Sequence, residues 1–221
     1  METPRSATGA GDDAVGGPAP GLASPLAGPP QDERIEAPQV GDPFGQPVAV
    51  QYSFAFIDIS GFTTYCETQG EHAAIELLSR FRFLTRSISV RRGVRIAKWL
   101  GDGVMLVAVN QNPAVATAAE LMLRCAASGI ETHVGLVRGP VLLFEGDDYV
   151  GRPVNLAARL CDVAEPCRML ASGLVEPLPS WVTVDPLDEV DLPGIGPTTG
   201  VVSLAVVDEV ARRFGLADAA A

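Results

Sequence analysis

Two apolar runs, 94–100 and 104–109, meet across Gly101-Asp102-Gly103, and apolar runs flanking so short a glycine turn predict a β-hairpin. What surrounds the hairpin restricts the fold further. Before it, 48–58 alternates, with Val50, Tyr52, Phe54 and Phe56 on one face, which predicts a strand. Ala74, Leu77, Leu78, Phe81, Leu84 and Ile88 then recur at helical spacing and predict a helix over about 70–89. After the hairpin, Asn112-Pro113 reads as cap and first turn of a second helix, with Gly129 as its stop. A strand or bent strand pair over 133–144, a helix over 153–161, short strands at 169–171 and 181–184, a strand over 201–206 and a small polar helix complete the order. Strand, helix, hairpin, helix, strand is an α+β arrangement: a ferredoxin-like or palm core, its sheet mostly antiparallel with helices packed on it.

The segment 1–47 is different in kind. It holds 17 Pro or Gly residues, against 24 in the other 174, and has too little apolar surface to offset its chain entropy. We expect a disordered Pro/Gly/Ala-rich tail over 1–47, a folded domain over 48–207 and a short C-terminal tail over 208–221. A formal charge of −11 argues against nucleic-acid binding, which needs a basic face. Met1 to Gly17 lacks the basic and apolar regions of a secretory signal, and no apolar run reaches membrane-spanning length. Cys66, Cys125, Cys161 and Cys167 have neither CxxC nor zinc spacing, so reduced, mostly buried thiols in a cytoplasmic protein are expected, with no membrane partner.

Three places carry candidate chemistry. Asp58 ends the first strand and Asp102 tips the hairpin, each close to glycine. Carboxylates at strand ends are free to bind a metal, and magnesium is usually held by one or two of them plus substrate phosphates. Taken alone, both also suit ordinary turns. In 148–159, Pro153 opens a helix that puts Asn155 and Arg159, four apart, on one face; an amide beside a guanidinium suits a sugar phosphate. The third feature is compositional. Of sixteen basic residues, fifteen are Arg and the single Lys is Lys98.

Together, Phe56-Ile57-Asp58-Ile59-Ser60-Gly61-Phe62-Thr63, Lys98-Trp99-Leu100-Gly101-Asp102-Gly103 and the run from Asp148 to Arg159 resemble the three signature blocks of class III adenylate cyclases. Order and offsets agree: Lys98 lies four before Asp102, and Asp148 seven before Asn155 and eleven before Arg159. The resemblance covers about 48–207. It implies conversion of ATP to 3′,5′-cyclic AMP and pyrophosphate, with two Mg2+ or Mn2+ ions per site. Asp58, Asp102 and the backbone carbonyl of Ile59 would hold the ions, and the turn through Phe62 and Thr63 would lie along the triphosphate. Lys98 and Asp148 would read adenine, where guanylate cyclases typically carry Glu and Cys. Asn155 would position the ribose and Arg159 would stabilise the transition state. The resemblance also implies a homodimer whose sites are shared, the metal carboxylates from one chain and the nucleotide readers from the other.

Two departures stand against it. Pro193 follows Val190-Asp191-Leu192 where the family usually has a phosphate-binding Lys, and the stretch from Asp102 to Asp148 is shorter than in many relatives. They leave open a nucleotide-binding regulatory module without turnover. A diguanylate cyclase would need Gly-Gly-Asp/Glu-Glu-Phe at the hairpin tip, which Leu100-Gly101-Asp102-Gly103-Val104 does not supply. A structural adaptor leaves Lys98, Asp148, Asn155 and Arg159 unexplained.

Overall fold

The computed structural model describes residues 49–144, 148–175 and 177–215, so the expectations for 1–47 and for 216–221 lie outside the described residues. Along the chain run β1 (Ala49–Ile59), α1 (Phe62–Gln69), α2 (Glu71–Arg92), β2 (Arg95–Leu100), β3 (Gly103–Ala108), α3 (Gln111–Ala126), β4 (Thr132–Phe144) and β5 (Asp148–Val150). There follow α4 (Arg152–Val163), β6 (Met169–Ser172), β7 (Val182–Leu187), β8 (Val190–Leu192), β9 (Gly196–Thr198), β10 (Val201–Val206) and α5 (Asp208–Arg212).

The main sheet has the order β2-β3-β1-β4-β6-β10-β7, with β5 paired to β4, and β8 and β9 form a separate hairpin. Every neighbouring pair is antiparallel except β4 with β6. The fold is therefore the mixed α+β, mostly antiparallel palm arrangement. β1 lies between β3 and β4; its burial alternates at its outer end and becomes nearly continuous from Ser53 on, where both faces are covered. Phe54, with Val50, Tyr52 and Phe56 beside it, packs in the layer under α4, whereas Ala55, Ile57 and Ile59 pack under α2 and α3. Full burial of side chains such as Phe54, Phe81 and Leu160 contributes about 1.5–3 kcal/mol each.

Glycine lets α4 lie close on the sheet. A β-carbon on Gly135 would stand 2.1 Å from Ala157 O, and one on Gly139 would stand 2.6 Å from Pro153 Cγ. Only bare backbone at these two β4 positions allows the helix to seat so near, with Asn155 and Arg159 on its exposed side.

Several expectations need correction. A separate helix, α1, precedes the expected one, because Gly61 (φ 69°) ends the strand and Gly70 (φ 82°) divides two helices. Asn110, not Asn112, stands at the N-cap of α3; Asn112 instead donates from Nδ2 to Pro177 O at 3.2 Å. All four cysteines are free thiols, but only Cys125 and Cys161 are buried and Cys167 is exposed. Among the described residues, no helix is long and apolar enough to cross a membrane.

Candidate active site

Asp58 is the penultimate residue of β1, and the pairing of Ile57 with Val104 brings the hairpin tip alongside the strand end. Asp58 and Asp102 line one cleft of about 260 Å3, together with Leu100, Arg159, Cys161 and Asp162. Burial, and then the charge of Asp58, push the Asp102 carboxyl above its ordinary value; its own backbone N–H and His133 offset this only in part. Two carboxylates that repel in a half-buried cleft suit a divalent cation. Among the described residues, no three His, Cys, Asp or Glu side chains gather as a metal site of their own. The pair therefore fits Mg2+ or Mn2+ in company with a polyphosphate that supplies the remaining oxygens.

His133 was not legible as a site residue. It stands opposite Asp58 in the β1–β4 register, with Nε2 3.6 Å from Asp58 Oδ2 and Nδ1 3.1 Å from Ser60 Oγ. The sequence signal for it is slight, since only the strand register brings positions 58 and 133 together.

Ile59 closes β1 and is buried, Phe62 is partly buried against the α2 side of the core, and Thr63 is exposed. Phe62 and Thr63 form the first turn of α1, and no side chain caps that end. Helix N-termini left without a cap present N–H groups to an anion.

Lys98 and Asp148, fifty residues apart in sequence, form an ion pair from Nζ to Oδ1. Lys98 stands opposite Met105, whose side chain belongs to the α4 layer, so the lysine emerges on the same sheet face as the carboxylate cleft. Asn155 and Arg159 are both exposed on α4. Arg159 lines the carboxylate cleft of its own chain, held by Asp162 at 2.6 Å, whereas Asn155, Lys98 and Asp148 are not part of the cleft lining. The structure thus forms two groups on one face: Asp58, Asp102 and Arg159 in one, Lys98 and Asp148 in the other.

No protein-family model matches the chain. The fold is that of class III adenylyl and guanylyl cyclase catalytic domains. The catalytic core of a rhodopsin-guanylyl cyclase with converted specificity, solved with ATPαS, aligns with a TM-score of 0.62 at 21% identity, covering 72% of this chain and 97% of that one. In sequence, the chain is 35% identical over 136 residues to an uncharacterized protein of Mycobacterium tuberculosis, covering 60% of this chain and 36% of the relative. It is 30% identical over 135 residues to an adenylate cyclase of Glutamicibacter nicotianae, covering 60% and 33%. The chain therefore spans about a third of the length of these curated relatives.

Proposed function

We propose that residues 48–207 form a class III adenylate cyclase domain, converting ATP to 3′,5′-cyclic AMP and pyrophosphate at sites shared between two identical chains. The observation that carries this reading is the Lys98–Asp148 pair, on the same sheet face as the Asp58–Asp102 cleft. The chain's single lysine meets a carboxylate on the face that also carries a cleft suited to a metal-bound polyphosphate, so two chains paired through this face would bring the pair of one to the cleft of the other. An ammonium can donate to a ring nitrogen of adenine, and a carboxylate can accept from its exocyclic amine.

Asp58, Asp102 and the Ile59 carbonyl would hold two Mg2+ or Mn2+ ions. Bound there, the ions supply charge that lowers the pKa of the ribose 3′-hydroxyl and offsets the triphosphate. The residues do the rest by position and charge. The first turn of α1, through Phe62 and Thr63, lies along the triphosphate. Asn155 orients the ribose so that O3′ faces the α-phosphorus. Arg159 faces the negative charge that builds on the phosphoryl oxygens as the new P–O bond forms and pyrophosphate leaves. Two-fold pairing gives each homodimer two identical sites, each drawing carboxylates from one chain and base-reading residues from the other. ATP is the substrate.

A second reading, a nucleotide-binding regulatory module without turnover, draws on Pro193, which is exposed in the turn between β8 and β9 where a phosphate-binding lysine is expected. Assay of the purified protein with ATP and Mn2+ separates the two. Cyclic AMP that disappears in Asp58→Ala supports the enzyme. Nucleotide binding without product, with either metal and at concentrations where dimers form, supports the module.

A further inference from the structure

Lys98 and Asp102 both lie on the β2–β3 hairpin, and β2 is an edge strand of the sheet, paired among the described residues with β3 alone. Edge strands fray more readily than central ones. What steadies this one comes from α2. The β2–β3 register shifts between Ile96 and Lys98, and such a bulge re-aims the side chains that follow it. Beyond it, Lys98 stands opposite Met105 of the α4 layer, whereas Trp99 stands opposite Val104 of the α2 layer.

On that second face the indole is partly buried. Phe81 meets it edge-on at 6.5 Å, and the Arg82 and Arg86 guanidinium carbons stand 5.1 and 5.2 Å from its ring centroid. Arg82 also donates from Nη2 to Gly101 O at 3.2 Å, one residue before Asp102. A guanidinium can stack on a ring and donate from its edge at once, which an ammonium cannot.

Arg82 is half-buried and Arg86 exposed, yet among the described residues neither has a carboxylate partner, and Arg82 Nε is buried without a hydrogen bond. In a chain of formal charge −11, the stretch 77–101 contains seven basic residues and no acidic one. Here the cations serve an aromatic ring and a carbonyl, both on the hairpin.

We propose that Arg82 and Arg86 are positioning residues for the hairpin: by gripping Trp99 and Gly101 from one face of the sheet, they set where Lys98 and Asp102 stand on the other. The proposal rests on the reading of Asp102 as a metal-binding carboxylate. Without the grip, the tip would sample positions in which Asp102 no longer shares the cleft with Asp58, and metal affinity would fall.

The test measures Mn2+ binding to the full chain by electron paramagnetic resonance of free Mn2+. 2′,3′-Dideoxy-ATP is present, so no turnover intervenes, and the Mn2+ that this nucleotide holds on its own, measured without protein, is subtracted. Arg82→Met is expected to weaken Mn2+ binding about tenfold, the range typical of groups that orient metal ligands. Trp99→Leu is expected to do the same, with little further loss in the double variant. Arg82→Lys, which retains charge over the ring but cannot also reach Gly101, should recover only part of the affinity. If Arg82→Met binds Mn2+ within twofold of the parent while Asp58→Ala has lost binding, the grip is refuted and the metal reading survives. If Asp58→Ala binds Mn2+ like the parent, the metal reading fails and takes this proposal with it. Should Arg82→Met not fold by circular dichroism, Arg82→Lys decides: parent-like affinity there refutes the grip, and a loss at unchanged net charge supports it.

Discussion

A β-carbon on Gly103 would stand 2.6 Å from Asp58 Oδ1 and 3.1 Å from Ile57 O, so the hairpin tip lies directly against the carboxylate at the end of β1. The nearer obstacle is the far end of a side chain, which can swing aside. Gly103→Ala should therefore displace the Asp58 carboxylate more than it disrupts the sheet. We expect cyclase activity to fall about a hundredfold, the scale of a small misplacement in a reacting geometry, while Tm falls by only a few degrees. Parallel assay and thermal melting check this. A variant as active as the parent would mean that Asp58 has no required position.

Lys98 and Asp148 are each about half-exposed, so their ion pair contributes little to stability. Asp148→Asn should leave the melting curve nearly unchanged. Its kcat/KM for ATP should fall about tenfold to a hundredfold, the value of one hydrogen bond to a charged group. Lys98→Glu combined with Asp148→Cys should move the preference from ATP towards GTP. Competition between the two nucleotides measures it.

Asp102 gives a pH-dependent prediction with a definite sign. Its folded-state carboxyl is raised by burial and by Asp58, so the folded protein holds that proton more tightly than the unfolded chain does. Without metal, the group costs stability as pH rises past its ordinary value, and the cost is fully present above the raised one. Asp102→Asn should then raise Tm by a few degrees at neutral pH in chelator, and the gain should vanish in acid. The same variant should lose activity, since stability and function oppose each other at such sites. Melting at pH 3 and pH 7 in chelator tests the sign.

Much of this arrangement was readable before the structure, and the reasons differ by element. β1 and β10 were legible because their apolar residues run at strand spacing between polar or glycine boundaries. The hairpin was legible because Gly101-Asp102-Gly103 marks its turn. By contrast, α1 has no buried residue, so it carries no apolar stripe to read. β5, β8 and β9 have three residues each, too few for any period to show. His133 and the Arg82–Trp99 contact depend on strand register and helix docking, which no local spacing encodes. Asn112 does not cap α3 because the helix already starts at Gln111; the side chains of Gln111 and Asn112 bond instead to Val175 and Pro177, contacts distant in sequence.

Away from the cleft, Glu120 of α3 is buried and bonded to Arg91, Arg92 and Arg124 at 2.7, 2.6 and 2.8 Å, fastening α3 to the end of α2. Burial alone would raise its carboxyl, but the hydrogen bonds from Arg91, Arg124 and Arg92 outweigh burial and bring it down to about 2. A depressed carboxyl contributes stability above its unfolded value, and that contribution is lost as pH falls towards about 2. Glu120→Gln should destabilise the domain by about 2–4 kcal/mol at pH 7, because three cations lose their shared anion. The deficit should shrink in acid. Urea unfolding at both pH values tests this.

The central claim, that each site takes its carboxylates from one chain and its base-reading pair from another, has a direct test. Asp58→Ala and Lys98→Ala proteins are purified separately, assayed alone, and then mixed under conditions in which dimers exchange. The account predicts two nearly inactive preparations and a mixture that regains up to about a quarter of the wild-type rate, from the one intact site in each mixed dimer. A mixture no more active than its inactive components, with exchange demonstrated, would place all these residues in a site within one chain and contradict the account.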